Sequence, residues 1–131
     1  MGLRISRALQ AQLLAEAAAS PSQEVCGLLF GSEGEIVTAQ PCTNVASDPD
    51  RAFEIDPAAL VAAHKAARSG GPSLVGCYHS HPNGRTAPSP RDADAAWGGR
   101  LVWIIIADQG LTVWRNESAG RFQPLEIEAD S

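Results

Sequence analysis

Residues 74–82 read Leu-Val-Gly-Cys-Tyr-His-Ser-His-Pro, an apolar run that ends in two histidines. The run predicts a buried strand, Leu74–Ser80, which the turn residues Pro82-Asn83-Gly84 bring to an end. Side chains two positions apart leave the same face of a strand, so His79 and His81 should point together. Two imidazoles that converge at the end of a strand are well placed to hold one metal ion.

Alternating helices and short strands are predicted around this strand. Apolar residues recur every fourth position from Ile5 to Ala17, which predicts a helix that ends before Pro21. Further predicted helices are a helix capped by Asp56-Pro57 that stops at Gly70-Gly71, and a short one from Ser89-Pro90 through Trp97. Further predicted strands are Val25–Phe30, Glu35–Gln40, a brief strand at Phe53 and Ile55, a central strand Leu101–Ala107, Leu111–Trp114 and Phe122–Ile127, with turns at Ser32-Glu33-Gly34 and Asp108-Gln109-Gly110. We therefore expect an α/β fold, one domain over residues 1–131 with a mixed β-sheet flanked by helices.

Composition excludes several classes of function. The net charge of −5, with ten scattered basic residues, argues against a nucleic-acid partner. No apolar run is long enough to cross a membrane, so no membrane partner is expected. Three cysteines without a CxxC pair predict reduced, buried thiols and a cytoplasmic protein. No pattern in the sequence indicates an oligomeric state.

Asp92 is the candidate third ligand beside the histidines. Ser89-x-x-Asp92 is also a helix-capping box, and for these two residues alone the cap is the better interpretation. Following His79-x-His81 at this distance, the metal interpretation becomes the stronger one. Two imidazoles and one carboxylate favour zinc over calcium or magnesium, and three protein ligands leave a fourth position open, as in catalytic sites.

The complete pattern resembles a known family. Glu24-Val25-Cys26-Gly27-Leu28-Leu29-Phe30-Gly31, His79-Ser80-His81, seven further residues, Ser89 and then Asp92 are similar to the signature of JAMM/MPN-domain metallopeptidases. Asn44 and residues 53–57 resemble the compact prokaryotic branch of that family. The resemblance spans roughly residues 5 to 115.

The resemblance implies a chemistry and a substrate class. It implies an MPN-like, cytidine-deaminase-like architecture in which His79, His81 and Asp92 hold one zinc ion per chain. Glu24 would be the general base toward the reacting water, and Ser89 would help to stabilise the oxyanion. The implied reaction is hydrolysis of a peptide or isopeptide bond after the C-terminal tail of a ubiquitin-like or sulfur-carrier protein. Periodicity alone would instead make Glu24 a solvated residue at the start of a strand.

Other interpretations compete with this one. A non-catalytic MPN scaffold is the main alternative, although such proteins characteristically lose metal ligands. A zinc-dependent nucleoside deaminase would need H-x-E and P-C-x-x-C, which the sequence lacks.

Cys77 is expected to be a buried thiol below the metal, and Arg85 a solvated loop residue. Trp114 is expected to face outward, and a substrate tail could add as a strand to a sheet edge.

Overall fold

A computed structural model describes residues 2–32, 34–96, 101–107, 110–118 and 120–130. The strands are β1 (Gly2–Ser6), β2 (Cys26–Ser32), β3 (Glu35–Cys42), β4 (Ser73–Ser80), β5 (Val102–Ala107), β6 (Gly110–Ser118) and β7 (Arg121–Asp130), and the helices are α1 (Arg7–Ala18), α2 (Pro57–Arg68) and α3 (Pro90–Ala95). None of the helices in these ranges is long and apolar enough to cross a membrane. Glu33, Trp97, Asp108 and Gln109, which belong to predicted turns and to the predicted third helix, lie outside the described residues.

The seven strands form one mixed sheet that closes into a barrel in the order β1-β3-β2-β4-β5-β6-β7. β1 runs parallel to both β3 and β7, β4 runs parallel to β5, and the remaining pairs are antiparallel. The predicted mixed sheet is therefore confirmed. Each described strand has a neighbour on both sides, but among the described residues β1 pairs with β3 only at Glu35 and Ile36, so most of β3 has one unpaired side. The expectation that a substrate tail adds to a sheet edge stays a prediction.

Both faces of the sheet are buried, and a helix covers each of them. Along β4, Tyr78 packs into a cluster with Leu9 and Leu13 of α1, whereas Cys77 packs into a second cluster with Ala63 of α2. Alternation along the strand explains the division, because successive side chains leave opposite faces. The prediction that helices flank the sheet is confirmed, and β5, buried from Val102 to Ile106, lies between β4 and β6 as a central strand should.

Two local predictions are wrong. Ile5 belongs to β1, and α1 begins only after Ser6, whose hydroxyl accepts a hydrogen bond from the Leu9 N–H at 3.1 Å. The four-residue spacing of apolar residues from Ile5 to Ala17 is a coincidence, because Ile5 lies in the strand and the other residues lie in the helix that follows it. Phe53 and Ile55 form no strand, and Ile55 makes a single isolated bridge to Asn44.

Other boundaries agree closely with the prediction. α2 begins after Asp56, which accepts from the Ala58 N–H at 3.0 Å, and Gly70 follows the helix with φ of 88°. β2 and β3 pair antiparallel, as the hairpin prediction requires. β6 and β7 extend beyond the predicted ranges.

Candidate metal centre

The two histidines leave β4 on the same side and meet at its end. His79 lies within the strand and is fully buried, and His81 follows the strand and is 5% exposed. The backbone N–H of His81 donates to the carbonyl of Ile106 in β5 at 2.9 Å, which holds it in line with the strand. Their Nε2 atoms are 3.0 Å apart. The structure thus brings the two imidazoles together, as their spacing predicts.

Asp92 reaches the histidines from the first turn of α3. Its Oδ2 lies 3.1 Å from Nε2 of His79 and 3.0 Å from Nε2 of His81. The same oxygen accepts from the Ser89 backbone N–H at 2.8 Å, and the Asp92 N–H donates to Ser89 Oγ at 3.0 Å. The predicted capping box is confirmed. It directs the carboxylate toward the histidines, so the cap and a metal site are compatible.

The three atoms have the geometry and chemistry of one face of a zinc tetrahedron. Their separations of 3.0 to 3.1 Å are slightly below the edge of about 3.3 Å that zinc–nitrogen distances of about 2.0 to 2.1 Å require. Two imidazoles and a carboxylate are donors that suit zinc. A shift of a few tenths of an ångström in side-chain position would accommodate the ion, so the residues present fit a zinc site.

Glu24 lies directly before β2 and completes the cluster. A carboxylate oxygen of Glu24 and a ring nitrogen of each histidine all lie within 4.8 Å of one another. Glu24 is 6% exposed, and its buried Oε1 has no hydrogen-bond partner among the described residues. A buried carboxylate oxygen without a partner is costly, which is typical of a group held for a ligand or for a reaction.

Burial is the largest influence on the pKa of each group. Burial raises the pKa of Glu24 to about 7 and lowers the pKa of His79. For Asp92, burial acts upward, but hydrogen bonds from His79 and His81 outweigh it and leave the pKa lowered. For His81, burial acts downward, but the hydrogen bonds to Asp92 and to the Arg85 carbonyl leave the pKa raised. Asp92 is therefore anionic and His79 neutral at neutral pH, as metal ligation requires.

Backbone and side-chain hydrogen bonds fix Glu24 beside the histidines. Its N–H donates to the Pro49 carbonyl at 2.7 Å. Ser80, between the two histidines, accepts from the Val25 N–H through Oγ at 2.9 Å and donates its own N–H to the Val25 carbonyl at 3.0 Å. Ser80 is buried and joins the start of β2 to the end of β4. It therefore sets the distance between the candidate base and the histidines.

The Asn44 side chain hydrogen-bonds to the Glu24 backbone, and both its Nδ2 and its Oδ1 have hydrogen-bond partners. Its Nδ2 donates to the carbonyls of Glu24 at 2.9 Å and Ala52 at 3.0 Å. Its Oδ1 accepts from the N–H groups of Ala46 and Glu54, each at 3.0 Å. Sequence reasoning gave no role to Asn44 or Ser80. Their partners are 8 to 55 positions away for the inter-element bonds, and no local pattern signals such contacts.

Aromatic side chains form the floor below His79. Phe53 stacks on its ring with centroids 4.2 Å apart, and Trp103 meets it edge-on at 5.7 Å. Cys77 is buried in the same cluster, as expected, and burial raises its pKa well above the ordinary value. Trp114 packs half-buried against this cluster, so the expectation that it faces outward is wrong.

A largely apolar groove of about 440 Å³ opens beside His81. Ala17, Ala18 and Leu14 of α1 line one side, and the side opposite and the end are formed by Ile106, Ala107, Ser80, His81 and Pro82. His81 belongs to both the groove and the cluster. A chain lying in the groove would therefore pass next to the candidate ligands.

Comparison with known proteins agrees with this geometry. Residues 6–117 match the family model of prokaryotic homologs of the JAB domain. The chain belongs to this family. Over 114 residues it is 39% identical to a desampylase of Haloferax volcanii, a match that covers 85% of this chain and 81% of that protein. Over 103 residues it is 40% identical to a probable TtuB-protein conjugate cleaving protease of Thermus thermophilus, covering 78% of this chain and 65% of that protein.

Two solved structures share the fold. A protein from Desulfitobacterium hafniense, 25% identical, superposes with a TM-score of 0.82 and covers 98% of this chain and 93% of its own. A JAB1/MPN domain protein from Archaeoglobus fulgidus, 20% identical, superposes with a TM-score of 0.60 and covers 98% and 99%. The resemblance seen in the sequence is therefore confirmed, for both the family and the fold.

Proposed function

We propose that this JAB-domain protein is a zinc-dependent peptidase. It would hydrolyse a peptide or isopeptide bond after the C-terminal tail of a ubiquitin-like or sulfur-carrier protein. The observation that carries the proposal is the convergence of His79 Nε2, His81 Nε2 and Asp92 Oδ2 within 3.1 Å, with the Glu24 carboxylate beside them. The names of the Haloferax volcanii and Thermus thermophilus relatives support the substrate class.

One zinc ion per chain would be held by His79, His81 and Asp92. When bound, zinc lowers the pKa of water toward about 7 and polarises a carbonyl oxygen. The buried carboxylate of Glu24 would accept the proton of the attacking water and pass it to the leaving amine. Its pKa of about 7 suits both transfers near neutral pH.

Ser89 would act on the substrate carbonyl. Its Oγ already accepts a hydrogen bond from the Asp92 N–H, while its hydroxyl proton is free to be donated. A donor placed beside the ligands can stabilise negative charge on the carbonyl oxygen during attack.

The groove beside His81 would receive the substrate chain. The groove lies at the ends of β4 and β5, so a tail bound in it would lie across the end of the barrel. The lining is apolar, and the alanines of α1 leave space for a backbone to approach. We also place the activity in the cytoplasm, because Cys26, Cys42 and Cys77 are free thiols and a reducing compartment preserves them.

The test is the Glu24→Gln variant in a cleavage assay on a carrier-protein fusion, with zinc content measured in parallel. The amide cannot accept the proton, so we expect loss of cleavage with zinc retained. Glu54→Gln, an exposed carboxylate on the neighbouring loop, is the matched control and should cleave like the parent. Equal cleavage by Glu24→Gln would refute the base assignment. A parent chain that binds zinc and cleaves nothing would favour the non-catalytic scaffold.

A further inference from the structure

The ring of His81 is oriented by a backbone carbonyl. Its Nδ1 lies 3.0 Å from the carbonyl oxygen of Arg85. A carbonyl oxygen can only accept a hydrogen bond, so Nδ1 carries a proton and donates it to this oxygen. Nε2 is then the nitrogen that is left for the cluster, and it faces His79 and Asp92. The position of one main-chain oxygen therefore decides which nitrogen of His81 is available to a metal.

A tight turn fixes this carbonyl from one side. The Gly84 N–H donates to the His81 carbonyl at 2.9 Å, and the Arg85 N–H donates to Asn83 Oδ1 at 2.9 Å. Gly84 has φ of 80°, a conformation that glycine adopts without strain. The turn thus brings the Arg85 carbonyl back to the ring of His81, the residue at which the turn begins.

A side chain of β6 fixes the same loop from the other side. Thr112 Oγ1 donates to the Thr86 carbonyl at 2.5 Å, and Trp114 Nε1–H donates to Thr112 Oγ1 at 3.0 Å. A hydroxyl has a single proton, and the indole N–H can only donate. Trp114 therefore occupies a lone pair of Thr112 and leaves its proton for Thr86, the residue next to Arg85.

We propose that Asn83 and Thr112 are positioning residues for His81. They act through the Arg85 carbonyl, which accepts from the Nδ1–H of His81, to keep Nε2 of the ring directed toward His79 and Asp92. The Arg85 side chain is exposed and takes no part, because only the backbone N–H and carbonyl of this residue are used. The inference rests on the proposed function only in calling the cation zinc, since the orientation of the ring is a property of the chain itself.

The experiment compares Thr112→Val with Thr112→Ser in the full chain. Valine removes the hydroxyl at nearly constant shape, and serine keeps it. Proton NMR of the His81 ring reports whether the Nδ1 proton is hydrogen-bonded and how fast it exchanges with solvent. We expect a slowly exchanging Nδ1 proton in the parent and in Thr112→Ser, and faster exchange in Thr112→Val, because the Arg85 carbonyl is then held less firmly. The zinc dissociation constant of Thr112→Val should rise by about tenfold, as is usual when a partner of a metal ligand is lost.

Two further variants make the result decisive. Asn83→Ala removes the second support of the loop and should likewise speed exchange of the Nδ1 proton, and it serves if Thr112→Val fails to fold. Arg85→Ala keeps the carbonyl and should match the parent in both measurements. An unchanged ring proton and unchanged zinc affinity in Thr112→Val and Asn83→Ala would overturn the proposal. The NMR result stands whether or not the chain cleaves a carrier fusion, so failure of the proposed function is read separately.

Discussion

At the scale of single residues, one carboxylate oxygen organises the candidate site. Asp92 Oδ2 lies within 3.1 Å of three nitrogen atoms, Nε2 of His79, Nε2 of His81 and the backbone N of Ser89. These neighbours together hold the pKa of Asp92 low, against the effect of burial. The negative charge at this oxygen is therefore available over the whole physiological pH range.

Asp92→Asn should abolish most zinc binding. An amide oxygen has no formal charge and is a poor replacement for a carboxylate ligand. Because loss of an outer-shell partner already costs about 10- to 100-fold in affinity, loss of a direct ligand should cost at least about 100-fold. Metal analysis after dialysis measures this. Asp94→Asn, exposed on the same helix, should retain the zinc of the parent. Full zinc in Asp92→Asn would remove Asp92 from the ligand set.

Asn44→Asp should destabilise the fold at the site. The substitution places a carboxylate oxygen where Nδ2 now donates to the carbonyls of Glu24 and Ala52. Two lost donors in a partly buried position should cost about 2 to 3 kcal/mol of unfolding free energy. Urea denaturation gives the value. Asn83→Asp is the control, because only the Oδ1 of Asn83 is used, and an equal loss in that variant would contradict the explanation.

The sequence predicted these residues unevenly. The common face of His79 and His81 follows from strand periodicity, which is a local property. The prediction that Glu24 is the base came only from family resemblance, because a charged residue before a strand has no distinctive local pattern. Ser80 and Asn44 act on segments distant in the chain, and their geometry is visible only after folding.

At the scale of elements, α1 is attached to β4 by a polar contact within apolar packing. The Tyr78 hydroxyl donates to Glu16 Oε1 at 2.7 Å. Burial raises the pKa of Glu16, and the hydrogen bond from Tyr78 lowers it only partly. The folded protein therefore binds this proton more tightly than the unfolded chain does. The resulting stabilisation is present below the ordinary pKa of 4.5 and is lost as the pH rises through the folded pKa.

Glu16→Gln should remove this pH dependence. The neutral amide can still accept from Tyr78 but binds no proton. We expect the variant to be more stable relative to the parent at about pH 7 than at about pH 4. The difference in the free energy of unfolding, variant minus parent, should therefore be larger at the higher pH. Urea denaturation at both pH values tests it. Glu54→Gln, exposed to solvent, should show the same difference from the parent at both. A Glu16→Gln difference that does not change with pH would contradict the assignment.

Element boundaries were predictable where capping residues mark them. Asp56-Pro57 and Ser89-Pro90 located the starts of α2 and α3 correctly. β1 was missed because Ile5 continued the helical spacing of Leu9 and Leu13. Ser6 was the usable signal, since a serine directly before a helix is a preferred cap.

At the scale of the whole molecule, the proposed substrate site is the groove between α1 and the ends of β4 and β5. Ala18→Trp should fill part of this groove without touching the cluster. We expect KM for a carrier fusion to rise by about tenfold, equivalent to about 1.4 kcal/mol, with kcat and zinc content unchanged. Steady-state kinetics tests this. Ala11→Trp, exposed on the same helix but outside the groove, is the control. An unchanged KM would place the substrate elsewhere.

Closure of the sheet into a barrel could not be predicted from the sequence. Strand periodicity predicted a mixed sheet, but the missed β1 is the strand that joins β3 to β7 and completes the ring. A single overlooked strand therefore separates an open sheet from a barrel. Closure is a long-range property, since β1 and β7 lie at opposite ends of the chain.

Among the described residues, the joint between β1 and β3 is the shortest in the ring. There it contains only the pairs Arg4–Glu35 and Ile5–Ile36, whereas β1 stays beside β7 along its full length from Gly2 to Ser6. Local opening of the barrel should start at this joint. The backbone amides near Glu35 and Ile36 should therefore exchange with solvent before those of β4. Because β2 separates this joint from β4, which carries the candidate ligand His79, local opening there should leave the candidate metal centre unchanged. Adaptation to heat or cold could then act on this joint alone.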